Sequence, residues 1–148
     1  MSRIVCATNA GEDSRVVHMA AFRRAVTEES HLTFLHVLGG RDFAEQPDRM
    51  QRAITEEMSW LLHALVRVAR ERSNASDVVA DVVLRTGEPR PEILAYLEET
   101  PPAALLIGVP RAGDASIFPG HTFDEFVAEL QSFDVDVELV STDADNTR

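Results

Sequence analysis

Apolar residues in this chain fall into short runs separated by longer stretches with helical spacing, and the alternation persists from end to end. The clearest run, Ala103-Ala104-Leu105-Leu106-Ile107 leading into Gly108, has no polar interruption. Such a run reads as a strand buried on both faces of a parallel sheet. The same reasoning predicts strands over 3–8, 32–38 and 78–84, and a last strand over 135–140. Helices are predicted over 13–28, 48–72, 91–98 and 122–131, with a loop carrying Gly39 and Gly40 between the second strand and the second helix. On that long helix Met50, Ile54, Met58, Leu61, Leu62, Leu65 and Val68 lie on one stripe, read here as core; Trp60 beside it is read as a packing or interface residue. Five strands alternating with four helices predict right-handed crossovers and an open α/β parallel sheet in the order 3-2-1-4-5, with helices on both faces. One domain over 3–141 accounts for the pattern, followed by a polar tail over 142–148.

In that strand order the first and fourth strands are neighbours, so Asn9 and Gly108 at their carboxyl ends share a crevice of the kind in which such sheets bind ligands. Beyond Gly108 come Gly113, Gly120 and a helix opening at Thr122, with Glu125 three residues on as the second half of a capping box. Unpaired N–H groups at the positive end of a helix dipole suit a phosphate. A plain strand-to-helix connection has the same signature.

Charge and residue usage remove several classes of function. A net charge of −11 argues against nucleic acid or an anionic membrane as the main partner. All 14 basic residues are arginines, which excludes a P-loop lysine, a Schiff-base lysine and the lysine of a phospho-receiver site. An acidic, lysine-free surface suits a high-salt cytoplasm, and a GC-rich genome accounts for the arginines equally well. The single cysteine, Cys6, sits among apolar neighbours and reads as a buried filler. With no apolar leader and no run of spanning length, a soluble, cytoplasmic protein is expected. His18, His31, His36, His63 and His121 fall on different elements without paired spacing, so no metal site is expected. Of these, His36 reads as a core histidine and only His121 falls in the candidate crevice.

The opening Ile4-Val5-Cys6-Ala7-Thr8-Asn9-Ala10-Gly11-Glu12-Asp13-Ser14 resembles the start of universal stress protein domains, and Leu35-His36-Val37 is similar to the end of that family's second strand. Thr86-Gly87-Glu88-Pro89 with Ile93 resembles its third-strand exit, and Leu105 to Gly108 its fourth strand. The resemblance covers most of the length and implies a flavodoxin-like three-layer fold. It further implies a homodimeric stress-response module in which one subgroup binds ATP through a Gly-x-x-Gly, nine residues, Gly-Ser/Thr loop. Carried over by position, Gly108 matches the first glycine, Arg111 replaces the second, and Gly120 matches the third if the loop is one residue short. His121 then stands for the Ser/Thr, Thr122 follows, and Asn9 replaces the family's Asp. With Thr8 and Val37 at the ends of the first two strands, these residues form the candidate site for ATP or a related adenine nucleotide. Arg111 has two readings: a fork onto phosphate, or a side chain that fills the pocket.

The expected function is therefore regulatory binding of a nucleotide without turnover. Two alternatives stay open: a dimeric member without nucleotide that docks an unidentified protein partner, and a nucleotide-using enzyme related to ATP pyrophosphatases, suggested by Gly11, Asp13 and Ser14. Strict alternation of Val135, Val137 and Leu139 with acidic residues marks the last strand as a half-buried edge. Pairing of that edge across a two-fold axis is the expected dimer, and Asp136 and Glu138 near their own copies should make it tighten as salt rises.

Overall fold

In a computed structural model, which describes residues 2–8, 14–109 and 123–141, the apolar runs become five parallel strands. They are β1 (Arg3–Ala7), β2 (His31–Leu38), β3 (Ala80–Thr86), β4 (Ala104–Val109) and β5 (Asp136–Ser141). Between them run α1 (Ser14–Glu28), α2 (Arg41–Ala44), α3 (Asp48–Arg72), α4 (Pro89–Glu99) and α5 (Phe123–Leu130). The sheet order is β3-β2-β1-β4-β5, as the alternation predicts. Right-handed crossovers then dictate the layers: the chain steps one way from β1 to β3 and back the other way through β4 to β5, so α1 and α3 cover one face and α4 and α5 the other. Two cores result. Ile4, Cys6, Phe34 and Leu106 pack under α1 and α3, and Val5, Leu35, Leu105 and Ile107 pack under α4 and α5. No helix among the described residues is long and apolar enough to cross a membrane.

Three local readings are corrected. The third strand begins at Ala80 rather than 78, because the Val78 N–H closes a turn onto the Ala75 carbonyl and is withdrawn from the ladder. The third predicted helix, α4, starts at Pro89 rather than 91, because this proline supplies a preset φ and lacks an N–H that a first helical residue would leave unpaired anyway. The long α3 departs most: its buried residues are Leu62, Val66 and Ala69, so of the stripe read as core only Leu62 is in it. Facing is one cause, since Leu61 and Val68 are level with the buried seam but lie to one side of it; length is the other. Twenty-five residues of helix span about 37 Å, whereas the seven residues of β3 span about 23 Å. Arg70 donates to the Val78 carbonyl just ahead of β3, so the two elements are level there and the excess helix lies at its N-terminal end, past the carboxyl rim of the sheet.

Arg24 ties α1 to the β5 edge. Its Nε donates to Glu28 at 2.8 Å, one terminal nitrogen to Asp136 at 2.7 Å and the other to Glu138 at 2.8 Å. At the carboxyl rim, the chains leaving β2 and β3 cross so closely that a Cβ on Gly39 would run into the Gly87 carbonyl, whose own N–H donates to Leu38 at 3.1 Å. Gly40, by contrast, has open space around it but a φ of 104°.

These two glycines should respond differently to substitution. Gly39→Ala forces two backbones apart and is expected to cost on the order of 2–4 kcal/mol, whereas Gly40→Ala carries only the left-handed φ, about 1–2 kcal/mol. Urea denaturation of both variants checks the order; equal losses, or a larger loss at Gly40, contradict it.

Candidate functional site

The crevice between β1 and β4 is set by their register. Ala7 pairs with Ile107, so one residue further along each strand Thr8 and Gly108 stand side by side. Thr8 is held from three directions. Its N–H donates to the Leu35 carbonyl at 2.9 Å, its carbonyl accepts from His36 Nδ1 at 2.8 Å, and its Oγ1 lies 2.8 Å from His18 Nε2. Because a carbonyl only accepts, His36 must carry its proton on Nδ1.

The two histidines are built in by the sheet's alternation. His36 and Phe34 project to the α1 face of β2, and His18 comes down onto it from α1, meeting Phe34 edge-on at 4.9 Å between ring centroids. His18 is fully buried and its Nδ1 has no hydrogen-bond partner among the described residues. The tautomer follows from cost. With the proton on Nε2, His18 donates to Thr8 and leaves a bare lone pair; with the proton on Nδ1 it would orphan a donor, which folded proteins avoid more strictly. The first arrangement fixes Thr8 Oγ1 as an acceptor toward His18. Burial also lowers the His18 imidazole from its ordinary value of 6.5 to about 4, so the ring is neutral. Cys6, one turn of the pleat behind Thr8, is buried as expected, and burial pushes its thiol far above the range in which it would ionise.

Of the candidate residues, Thr8, Val37 and Gly108 are placed by the structure, while Asn9, Arg111, Gly120, His121 and Thr122 lie outside the described residues. Thr8 and Gly108 come together. Val37 does not join Thr8: it packs with Ala7 and Ile107 in the core under α4 and α5, on the sheet face opposite the one to which Thr8 turns its hydroxyl. His18 and His36 lie on different elements, as the sequence has them, and nonetheless converge on one residue. Neither was singled out as a site residue. A polar histidine at the middle of the buried face of α1 was the available signal. Among the described residues no group of three or more His, Cys, Asp or Glu is placed to hold a metal ion.

Comparison with known proteins places this geometry in a wider set. Residues 1–137 match the model of the universal stress protein family. Among solved structures, the chain is similar to a universal stress protein UspA from Lactobacillus plantarum, at 14% identity over 94% of this chain and 97% of that one, with a TM-score of 0.64. A universal stress protein from Archaeoglobus fulgidus in complex with dAMP is similar at 17% identity, 95% and 97% coverage and a TM-score of 0.59. A universal stress protein family protein from Arabidopsis thaliana with AMP bound is similar at 15% identity, 100% and 96% coverage and a TM-score of 0.59. At these identities the likeness establishes the fold. No curated protein matches the chain.

The buried His18 makes a definite pH dependence. Its folded value, about 4, lies below the 6.5 of an unfolded histidine, so unfolding takes up a proton between those limits. The stability tied to its neutral form is complete above pH 6.5 and is lost as pH falls to 4, by about 3 kcal/mol in all. His18→Gln, which cannot titrate, should therefore show a shallower loss of unfolding free energy between pH 7 and 4.5 than the wild type. Equal slopes in the two proteins would contradict the assignment.

Proposed function

This chain belongs to the universal stress protein family, and from that premise we propose that it binds an adenine nucleotide at the β1–β4 crevice and acts through binding rather than turnover. The observation that carries the reading is the pinned carboxyl end of β1: Thr8, clamped by His18 and His36, stands beside Gly108, the first residue of the glycine loop motif. Preorganisation of this kind lowers the ordering cost of binding. Two structural neighbours hold AMP or dAMP, so monophosphates belong in the test beside ATP.

A ligand at a hundredfold excess over its Kd stabilises the fold by about 2.7 kcal/mol, enough to raise the melting temperature by several degrees. AMP, ADP or ATP at millimolar concentration is expected to do so, with the effect lost in Gly120→Val and enlarged in Arg111→Gly if the arginine fills the pocket. Absence of any shift with all three nucleotides overturns the proposal.

The second part of the proposal is a homodimer through β5. That strand is an open edge, with Leu139 45% exposed. The like-charge penalty expected from Asp136 and Glu138 is reduced because Arg24 of the same chain holds both carboxylates. The expected salt dependence is accordingly smaller: the wild-type dimer should tighten only modestly with KCl, and Arg24→Ala should weaken it at low salt with a larger recovery toward molar KCl. Sedimentation across that range decides; a monomer throughout, or an Arg24→Ala protein indifferent to salt, contradicts the dimer.

A further inference from the structure

We propose that the outward face of α3 is a self-complementary surface that pairs antiparallel with α3 of a second copy. The face lies opposite the buried seam of Leu62, Val66 and Ala69. It carries Ala53, Glu57, Trp60, Ala64, Arg67 and Glu71, at alternating steps of four and three residues, which is the spacing of a coiled-coil seam. Trp60 stands 71% exposed at its centre. An indole so exposed on a helix is unusual, because the ring has large apolar faces to cover. On one shoulder Leu61 and Val68 are 37% and 44% exposed, and Ile54 is half-buried.

The occupant follows from what this face meets when turned on itself. In an antiparallel pair with its two-fold axis at the level of Leu62, each seam residue faces the one whose number completes a fixed sum. Trp60 then faces Ala64 of the second copy, a large ring over a small side chain, and the symmetric contact repeats it. Glu57 faces Arg67, again twice. Along the shoulder, with a stagger of about 3 Å in the same register, Leu61 comes beside its own copy and Ile54 beside Val68. Opposite charges meet, the bulky residue meets the small one, and apolar residues meet apolar residues, all in one register. Neither Glu57 nor Arg67 has an ion-pair partner among the described residues, so the charges are available for the second copy. A parallel pairing would put Trp60 on Trp60 and Glu57 on Glu57, which disfavours it. The surface belongs to the helix that covers β3, at the far side of the sheet from β5, so this contact is independent of the β5 dimer and of the nucleotide reading.

Trp60 is the sole tryptophan, and its emission reports this face alone. With rising protein concentration the emission of the intact protein should move to shorter wavelength as the ring is covered, and added salt should raise the midpoint concentration. Glu57→Arg and Arg67→Glu should each raise that midpoint by about tenfold or more. The double reversal, Glu57→Arg with Arg67→Glu, should return it to within about threefold of the wild type. Ala64→Arg, which fills the position facing Trp60, should abolish the shift; circular dichroism confirms that each surface variant is folded. Emission unchanged up to millimolar protein, single reversals without effect, or a double reversal as weak as the singles would each overturn the proposal.

Discussion

The parallel pairing of β1 with β4 is the constraint on which the rest depends. Ile4 to Ala7 run in register with Ala104 to Ile107, and successive residues alternate between two separate cores. Neither strand can slip by one residue without turning every side chain into the wrong core. The helices that follow these strands in the chain, α1 after β1 and α5 after β4, cover opposite faces of the sheet. A crevice at that point follows from connectivity before any side chain is considered. The chemistry of the crevice is then a matter of what is held at its lip, and Thr8 is held there by groups from β2 and α1.

That division explains what could be read from the sequence. A run such as Ala104 to Ile107 has few other readings, and strand alternating with helix leaves few permitted topologies, so the fold was legible. The clamp on Thr8 was not. His18 and Thr8 are ten residues apart in the chain, one on α1 and the other at the end of β1, and they meet only in the fold. Spacing rules compare positions within one element and are silent between elements. Face is a related difficulty: Thr8 and Val37 lie at neighbouring strand ends, but one sits at a position that faces α1 and the other at a position that faces α4 and α5. Predicting their opposition requires the register between strands, which the sequence of either strand alone does not contain.

The α3 helix shows a different limit. Amphipathic spacing tells which side of a helix is apolar, but not how much of its length has something to pack against. The stripe from Met50 to Val68 continues past the point where β3 ends, and its apolar residues are left half-covered or exposed. Continued apolar patterning without an internal partner has a physical cost in solubility, and surfaces of that kind mark contacts with other molecules. The same helix thus reads as core at Leu62, Val66 and Ala69 and as interface where its apolar positions turn away from that seam or run past the sheet.

The lysine-free composition also takes on structural meaning. Arg24 uses three different nitrogens on three carboxylates, joining α1 to β5. Arg85 joins β3 to α4 through Glu99, and Arg90 joins α4 to α5 through both oxygens of Glu129. The span ranges from neighbouring elements, 14 residues apart at Arg85, to opposite ends of the chain, 112 residues apart for Arg24 and Asp136. Exposed ion pairs contribute little individually, but in a chain of net charge −11 the unpaired alternative is repulsion among carboxylates on adjoining elements. A planar fork can meet two or three carboxylates in fixed directions, which a lysine ammonium on a flexible stem cannot do with the same geometry. The arrangement at Arg24 is the clearest case, because the carboxylates it gathers lie on the open edge of the sheet. Whatever that edge meets, it presents a strand whose two carboxylates have been partly compensated from within its own chain.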